Sequence, residues 1–450
     1  MSACHDGMAA LKLLRKQDVK EKCRVAAAPN NEQEIRAFLL DLFQRAVDAA
    51  APEHCVAQHL PSPPAGRTLL IAAGKAAASM AYAAEQAWPD DALLSGIALT
   101  RYGHGKTCER IEVIEASHPV PDNRGHEAAQ RLLTQVEELG ADDLLLFLVS
   151  GGGSSLLALP APGISLEEKK AVNQALLMSG APIGEMNCVR KHLSSIKGGR
   201  LAKAAQPAQV VTLAISDVPG DDPSTIASGP TVPDPTTLDD MHGIAAKYQL
   251  ILPNSDIKNV LKKATETPKS SDSAFASTSF ACVATPSTSL DHVLAYAKTA
   301  LAGAVLSLGA DVEGEASLVA KEHAKLALEA DEPTLILSGG ETTVTVATGS
   351  SPGKGGRNCE YLLALAIALD GAAGIYALAA DTDGIDGSED NAGAIIAPDT
   401  LQRAKALGLD AEAMLARHDA YSFFEALGDL IITGPTLTNV NDFRAIWISG

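Results

Sequence analysis

The residues best suited to chemistry in this chain follow short apolar runs. The run at 144–149 contains only Leu, Phe and Val and leads into Ser150-Gly-Gly-Gly-Ser-Ser155. Such a run is typical of a strand buried on both faces of a parallel sheet. Glycine lets main-chain N–H groups approach an anion, so the loop is a candidate phosphate or carboxylate site. A second run, 334–337, leads into Ser338-Gly-Gly-Glu341, and the two together predict an anion-binding cleft at the carboxyl ends of parallel strands. The candidate binding residues of the first loop are Ser150, Gly151, Gly152, Gly153, Ser154 and Ser155.

Two further strand ends carry candidate catalytic residues. Lys75 follows the apolar run 68–73 between small and apolar neighbours, which favours a role in neutralising a transferring phosphoryl group over a solvated surface lysine. Asp217 opens a segment with three carboxylates, 216–222, after the run 209–215. Carboxylates at a strand end suit Mg²⁺ or the acceptance of a hydroxyl proton. The alternative for this segment is helix capping or turn formation.

Two glycine-rich loops in the second half are candidates of the same kind. The acidic loop at 381–387, which includes Asp386, suits Mg²⁺ binding or a series of Asx turns. The loop at 353–358 opens onto a helical pattern at 359–369 and carries Arg357. A helix N-terminus with an adjacent guanidinium favours phosphate binding, although the segment is not a P-loop and is alternatively a mobile surface loop. Its candidate phosphate-binding residues are Gly353, Gly355 and Gly356.

The segment 187–203 carries five basic residues and no acidic one in a chain of net charge −19. This imbalance indicates either an anion site that includes Lys197 or a solvated helix face. His118 lies in the stiff turn His118-Pro-Val-Pro-Asp122, for which a structural role is the better interpretation. For His104, a structural role and a role as a catalytic base both stay open.

The elements that must position these residues follow a βαβ pattern, because apolar runs alternate with amphipathic stretches. Helices are predicted at 167–179 and 290–308, the first after a capping box that begins at Ser165. The segment 264–279 loses its apolar period, so the domain boundary is predicted there and both halves are predicted as doubly wound α/β layers. The predicted strands are 68–73, 96–100, 111–115, 144–149, 209–215, 280–284, 334–337 and 374–379.

Length, charge and cysteine content exclude several classes of protein. A chain of 450 residues with 46% apolar content predicts two globular domains. The charge of −19 argues against a nucleic-acid partner. The longest apolar stretches fall short of the roughly 20 residues that span a bilayer. Seven widely spaced cysteines without a C-x-x-C pair favour reduced thiols in the cytoplasm, and residues 1–30 are interpreted as a disordered extension without a targeting pattern.

The order of these motifs resembles the glycerate 2-kinase family, whose C-terminal half is called the MOFRL domain. The resemblance covers the chain from about residue 35 to the C-terminus. It rests on Gly74-Lys75, the segments 117–122, 149–155, 187–200, 215–222, 228–230, 353–358 and 382–387, and Thr433-Gly-Pro-Thr-Leu-Thr-Asn-Val-Asn-Asp442. Cys359 stands where many members have Gln, and residues 1–30 precede the usual family start.

The resemblance implies ATP- and Mg²⁺-dependent phosphorylation of D-glycerate at its 2-hydroxyl. It also implies an N-terminal Rossmann-like α/β domain that faces a smaller C-terminal α/β domain across the active-site cleft. The expected bounds are 1–32 for the extension, 33–270 for the first domain and 271–450 for the second. Family roles fall on Lys75, Asp217 and Arg357, and Asp217 or Asp386 is expected to help hold Mg²⁺. Small-molecule substrates and a monomer or homodimer are expected.

Two other functions compete with this one. The first is an NAD(P)H-dependent hydroxypyruvate reductase, a label carried by related sequences. Its dinucleotide fingerprint fails here, because Leu156 occupies the third position after Gly151 and Gly153. The second is a non-catalytic sensor of carboxylates or nucleotides. The number of acids and cations at strand ends exceeds what simple binding requires, which favours the kinase over the sensor.

Overall fold

A computed structural model describes residue 29 and residues 31–250, 257–301, 303–346 and 351–449. A six-stranded, wholly parallel sheet forms the first half, in the order β3-β2-β1-β4-β5-β6. Its strands are β1 (Thr68–Ala73), β2 (Leu94–Arg101), β3 (Ile111–Ala116), β4 (Leu144–Val149), β5 (Gln209–Ile215) and β6 (Thr278–Ala284). Leu69 and Ile71 of β1 pack on one face of this sheet and Leu70 and Ala72 on the other. Burial on both faces explains why the strand sequences are continuously apolar.

The second half is built on a mixed sheet in the order β13-β12-β11-β14-β9-β7. β7 and β9 are parallel, whereas the other four pairings are antiparallel. The predicted α/β class is confirmed for this half, but its sheet is mixed, unlike the wholly parallel sheet of the first half. The strands are β7 (Ala304–Ser307), β8 (Gly314–Glu315), β9 (Thr334–Gly340), β10 (Thr342–Thr343), β11 (Ile375–Asp381), β12 (Gly393–Ile396), β13 (Leu430–Ile431) and β14 (Asp442–Ile448), of which β8 and β10 form a separate parallel pair.

Helices cover both sheets and fill the connections between strands. In the first half they are α1 (Glu32–Ala49), α2 (Pro52–Cys55), α3 (Ala77–Ala87), α4 (Asn123–Glu137), α5 (Gly153–Leu156), α6 (Leu166–Met178), α7 (Ile183–His192), α8 (Arg200–Ala204), α9 (Leu238–Lys247) and α10 (Ile257–Leu261). In the second half they are α11 (Pro286–Ala300), α12 (Ala316–Leu328), α13 (Arg357–Leu369), α14 (Thr400–Ala406), α15 (Ala411–Ala416) and α16 (Ala420–Leu427). Among the described residues, no helix combines the length and the apolar character needed to cross a membrane.

The two halves exchange elements at the boundary. β6 pairs in parallel with β5, so the first sheet continues beyond the predicted boundary at residue 270. In the opposite direction, α1 packs on the second sheet, where the ring of Phe38 lies 6.0 Å from that of Trp447. The sequence of an amphipathic helix does not indicate which sheet the helix covers. The prediction therefore placed α1 in the first domain, to which it is adjacent along the chain.

Several predicted elements differ from the observed ones at their ends. The capping box at Ser165 is present, with the Glu168 main-chain N–H donating to Ser165 Oγ at 3.1 Å. The predicted helix 290–308 ends at Ala300 and is followed by β7. Ser338-Gly-Gly340 forms the end of β9 and is not a loop. Its Gly339 N–H donates to the Gly309 carbonyl at 2.9 Å, so the second Ser-Gly-Gly does not form an anion-binding loop like the first.

Candidate active site

The carboxyl ends of β1, β4 and β5 lie at one edge of the first sheet and face the segment that precedes β14. That segment is fixed to the first half by hydrogen bonds: Ser79 Oγ donates to the Leu437 carbonyl at 2.5 Å, and Asn441 Nδ2 donates to the Asp217 carbonyl at 2.9 Å. Next to it, a cleft opens between the loop after β5 and Glu341, and Asn441 is among its lining residues. The polar ends of these strands therefore face the second half of the chain, at the sheet edge where the sequence places them.

Lys75 joins the two halves of the cleft. Its Nζ lies 2.6 Å from Asp383 Oδ2, with side chains 18% and 2% exposed, respectively. Its main-chain N–H donates to the Gly151 carbonyl at 2.8 Å, which links it to the Ser-Gly-Gly-Gly loop. Burial disfavours the charged ammonium, but the carboxylates of Asp383 and Asp381 outweigh burial and raise the pKa of Lys75. Lys75 is therefore a cation at the pH of the cell.

Asp217 is half-buried on the other side of the loop. Its Oδ2 accepts a hydrogen bond from Asn439 Nδ2 at 3.0 Å. A methyl group added at Gly151 would collide with Asp217 Oδ2, so this loop and this carboxylate are in close contact. Burial raises the pKa of Asp217 to about 6 against the opposing effect of Lys75. A carboxylate with a pKa near the working pH is suited to accept a proton from a hydroxyl.

The hydroxyls of the Ser-Gly-Gly-Gly loop hold the loop itself in shape. Ser150 Oγ accepts from the Ala76 N–H at 3.0 Å, and Ser155 Oγ donates to the Gly152 carbonyl at 3.0 Å. Gly152 has φ +81°, a left-handed conformation that favours glycine. The loop leads into the short helix α5, where the N–H groups of Gly153 and Ser155 donate to the Ser150 and Gly152 carbonyls, each at 3.1 Å. Among the described residues, this leaves the N–H groups of Gly151, Gly152 and Ser154 for a ligand. We infer that an anion here would be bound by main-chain N–H groups and not by the serine hydroxyls.

Lys197 supports this loop from behind. The residue is 1% exposed, and its Nζ donates to the main-chain carbonyl of Ser154 and, at 2.7 Å, to Ser154 Oγ. Burial and the nearby cations Lys169 and Arg190 lower its pKa well below the usual range. Of the other basic residues in the segment, Arg190 lies near Lys197, whereas Lys191 pairs with Asp234 at 3.2 Å and Lys203 with Asp272 at 2.9 Å. The structure does not gather 187–203 into a single anion site.

Arg357 is surrounded by carboxylates. Its Nε, Nη1 and Nη2 donate to Asp442 at 2.8 Å, Glu341 at 2.8 Å and Asp381 at 2.7 Å, respectively. Burial opposes the charge, but these three carboxylates raise the pKa of Arg357 above its ordinary value. Glu341 is the most exposed of the three, at 45%. An incoming phosphate would therefore replace Glu341 more readily than the other two partners.

Asp386 caps the helix that begins at Arg357. Its Oδ1 and Oδ2 accept from the main-chain N–H groups of Asn358 and Cys359, each at 2.9 Å. This arrangement does not support a metal-ligand role for Asp386, because both oxygens are occupied by the first turn of α13. It also occupies the amides that the sequence suggested for phosphate.

The neighbouring glycines serve the packing of the same loop. A methyl group at Gly356 would collide with the Asp386 carbonyl, and one at Gly353 would lie within 2.6 Å of the Asp419 carboxyl carbon. The Tyr421 N–H donates to the Lys354 carbonyl at 3.0 Å, which fixes the loop on α16. Gly353 and Gly356 are thus explained by close packing, whereas a methyl group at Gly355 would lie 3.5 Å from its nearest neighbours. A cofactor-binding role for the three glycines stays a prediction.

Sequence reasoning included the segments 381–387 and 433–442 but missed which of their residues pair with the predicted ones. Asp383, Asn439 and Asp442 contact Lys75, Asp217 and Arg357, respectively, from the second half of the chain. The signal was present, since Asn439-Val-Asn-Asp442 places three polar side chains directly before a strand. What the sequence lacks is any indication of which partner each one meets.

The cleft contains oxygen ligands that fit Mg²⁺. No group of three His, Cys, Asp or Glu side chains is arranged to hold a metal within the described ranges. Mg²⁺, however, takes one or two carboxylates and completes its shell with water and substrate phosphates. Asp217 fits this pattern, because Asn439 donates only to its Oδ2. Asp383 is a second oxygen donor and faces Lys75.

The fold and the cleft define a two-domain α/β enzyme class with its polar site between a parallel and a mixed sheet. A family model described as "Domain of unknown function (DUF4147)" matches residues 38–262, and the MOFRL family model matches residues 334–442. The chain belongs to the glycerate kinase family that carries a MOFRL domain, and the resemblance seen in the sequence is confirmed.

The relatives bear two different names. The chain is 37% identical to the D-glycerate 2-kinase of Thermotoga maritima, over 91% of this chain and 97% of that protein. It is 53% identical to a protein of Agrobacterium vitis named putative hydroxypyruvate reductase, over 93% and 95%. The crystal structure of the T. maritima glycerate kinase superposes with a TM-score of 0.82 at 36% identity, covering 92% of this chain and all of that one.

Proposed function

We propose that the protein transfers the γ-phosphoryl group of ATP to the 2-hydroxyl of D-glycerate and releases ADP and 2-phosphoglycerate. The observation that carries the proposal is near full-length similarity to the D-glycerate 2-kinase of T. maritima, at 37% identity. The geometry agrees with it, because Lys75, Asp217 and the Ser-Gly-Gly-Gly loop meet in one cleft. Such a site supplies positioning and charge neutralisation, which are the main requirements of phosphoryl transfer.

Asp217 is the proposed general base. Its carboxylate takes the proton of the 2-hydroxyl while the glycerate oxygen forms a bond to the γ-phosphorus. The bond between that phosphorus and the bridging oxygen of ADP breaks in the same step, and ADP leaves with the electron pair. Because burial raises the pKa of Asp217 to about 6, the carboxylate binds the proton more strongly than a solvated aspartate would.

Lys75 and Arg357 are the proposed cations for the transferring group. Without substrate, Asp383 holds Lys75, and three carboxylates hold Arg357. We propose that phosphate oxygens replace Asp383 on Lys75 and Glu341 on Arg357 when the nucleotide binds. The main-chain N–H groups of Gly151, Gly152 and Ser154, which have no main-chain acceptor among the described residues, and the buried Lys197 behind them complete the proposed phosphate site.

A magnesium ion is proposed to accompany the nucleotide, with Asp383 as the carboxylate that would hold it, because Asp217 is the proposed base. When bound, Mg²⁺ neutralises phosphate charge and so favours attack by the hydroxyl. We assign a capping role to Asp386 instead, since both of its oxygens accept main-chain N–H groups.

An ADP-release assay with D-glycerate, ATP and Mg²⁺, followed by phosphorus NMR of the product, tests the proposal. The expected product is 2-phosphoglycerate. A 3-phosphate product would retain the kinase and overturn the proposed position, and no ADP release above that of an Asp217→Asn control would overturn the kinase.

The reductase is a second candidate because two relatives carry that name. A dinucleotide site needs a glycine-rich turn that opens a full helix for the pyrophosphate. Here the turn opens α5, which spans four residues, and Leu156 at the third fingerprint position is buried. Oxidation of NADH or NADPH by the protein with hydroxypyruvate, followed at the nicotinamide absorbance, would favour the reductase.

The remaining expectations about partners and compartment are also proposals. The substrates are small molecules, and the charge of −19 argues against nucleic acid. The seven widely spaced cysteines of the sequence are consistent with a location in the cytoplasm. For the oligomeric state we expect a monomer or a homodimer. Size-exclusion chromatography with light scattering measures the oligomeric state.

A further inference from the structure

The carboxyl end of β2 carries an arginine without an acidic partner. Arg101 is the last residue of β2, which runs beside β1, and Thr100 Oγ1 donates to the Lys75 carbonyl at 3.3 Å. No ion pair of Arg101 occurs in the part of the chain that the structure describes. The side chain is half-buried, so an unbalanced guanidinium lies at the same sheet edge as Lys75. An anionic ligand would balance this charge.

His104 lies one turn further along and has one nitrogen without a partner. The main-chain N–H of His104 donates to the Arg101 carbonyl at 3.0 Å, and the imidazole Nδ1 lies 3.3 Å from the Tyr102 carbonyl. A carbonyl only accepts, so Nδ1 carries the proton and Nε2 presents a lone pair. The residue is 3% exposed, and this Nε2 has no hydrogen-bond partner in the ranges that the structure describes. A ligand hydroxyl is the natural donor to a buried imidazole nitrogen of this kind.

His118 connects this sheet edge to the Ser-Gly-Gly-Gly loop. A methyl group added at Gly152 would lie 2.9 Å from His118 Nε2 and 3.4 Å from Lys75 Cγ. Burial, Lys75 and Arg101 lower the pKa of His118 to about 4, and burial also lowers the pKa of His104. Both imidazoles are therefore neutral at neutral pH, and neither competes with Arg101 for an anion.

The other cations of the cleft are already engaged. Carboxylates hold Lys75 and Arg357, and Lys197 is buried against Ser154. Glycerate carries a carboxylate and a 3-hydroxyl besides the reacting 2-hydroxyl. We propose that Arg101 binds the carboxylate of the acceptor and that His104 Nε2 accepts a hydrogen bond from its 3-hydroxyl. This assignment deepens the proposed glycerate kinase function and rests on it.

Matched acceptors test the role of Arg101. Initial rates are measured with D-glycerate and with D-glyceramide, its neutral amide, for wild type and for Arg101→Met. Loss of a hydrogen bond to a charged group should lower kcat/KM for D-glycerate by about 10- to 150-fold. The value for the amide should change by about twofold or less, as should the KM for ATP. The exposed Arg124 provides the control variant Arg124→Met, which should leave both acceptors unaffected.

Equal losses with both acceptors, or a raised KM for ATP alone, would overturn the assignment of Arg101. The first result indicates a structural role and the second a nucleotide contact.

The role of His104 is tested with another pair of acceptors, D-glycerate and D-lactate, which lacks the 3-hydroxyl. His104→Phe should reduce the preference for D-glycerate by about 2- to 10-fold, whereas an unchanged preference would overturn that contact.

Direct binding separates this inference from the kinase itself. D-glycerate is titrated into wild type and Arg101→Met by calorimetry in the presence of a non-hydrolysable ATP analogue. If the wild type forms no ADP, the proposed kinase activity is refuted. Even then, glycerate binding that is present in the wild type and lost in Arg101→Met supports the proposed carboxylate subsite. Equal glycerate affinity of the two proteins overturns the subsite, whichever reaction follows.

Discussion

Replacing Lys75 by methionine tests the ion pair that joins the two halves of the cleft. The substitution keeps the length of the side chain and removes the charge that lies 2.6 Å from the 2% exposed carboxylate of Asp383. Removal of one partner from a buried pair costs about 3–5 kcal/mol when the other charge stays uncompensated. Asp383 Oδ1 still accepts the Ile385 N–H at 2.8 Å, and Lys75 is itself partly exposed. We therefore expect a loss of about 2–4 kcal/mol in the free energy of unfolding.

Catalysis should suffer as well, because Lys75 is the proposed cation for the transferring phosphoryl group. Loss of one preorganised donor typically lowers kcat by about 10²–10³-fold. Unfolding can be followed by the fluorescence of the two tryptophans, since Trp88 lies in a core of the first domain and Trp447 in a core of the second. A double-mutant cycle with Asp383→Asn should give a coupling energy of about 1–3 kcal/mol.

The pH dependence of the stability gives a third readout of the same pair. Burial opposes ionisation of Asp383, but Lys75 outweighs it and lowers the pKa of Asp383 below its ordinary value. The stabilisation by the pair is therefore present above the pKa of an unfolded aspartate and is lost as the pH falls through the lower folded pKa. The difference between wild type and Lys75→Met should shrink in acid.

A second buried pair supplies the control. Lys191 and Asp234 lie 3.2 Å apart and are 4% and 0% exposed, respectively. Lys191→Met should lower stability by a similar amount and retain a kcat within about threefold of wild type, because no reacting group depends on it. A coupling energy below about 0.5 kcal/mol in the Lys75–Asp383 cycle, or a normal kcat in Lys75→Met, would refute the reasoning.

Three shorter predictions follow from the same cleft. Because the pKa of Asp217 is about 6 and only the carboxylate accepts a proton, kcat/KM should fall as the pH decreases through about 6. Asp217→Asn should lower kcat by about 10²–10⁴-fold and should abolish this fall of kcat/KM at acid pH. Asp386→Ala should lower the free energy of unfolding by about 1–3 kcal/mol through loss of the α13 cap; a changed Mg²⁺ half-activation concentration at normal stability would instead indicate a metal ligand. Gly151→Ala should displace Asp217 and lower kcat by about 10²-fold, and unimpaired turnover would show that the loop and the carboxylate are not coupled.

The strands were predictable where one physical cause dominated the sequence. β1, β4 and β5 begin and end at the predicted residues, because burial on both faces requires an uninterrupted apolar run. β14 was missed, although it lies in the middle of the second sheet, because Asp442 and Arg444 interrupt its apolar pattern. Those charges are tolerated because Arg444 Nη2 donates to Asp442 Oδ2 at 2.6 Å and its Nη1 to the Gly339 carbonyl at 3.0 Å.

The sequence by itself determined that Lys75, Asp217 and the Ser-Gly-Gly-Gly loop meet at one edge of a parallel sheet. This follows from chain order alone, since the carboxyl ends of parallel strands lie on the same side. Only the tertiary structure decided that Asp383 holds Lys75, that Asp386 caps a helix and that Arg101 forms no ion pair within the described residues. These pairings join residues far apart in the chain. They depend on how the second, mixed sheet is placed against the first, and no local pattern encodes that placement.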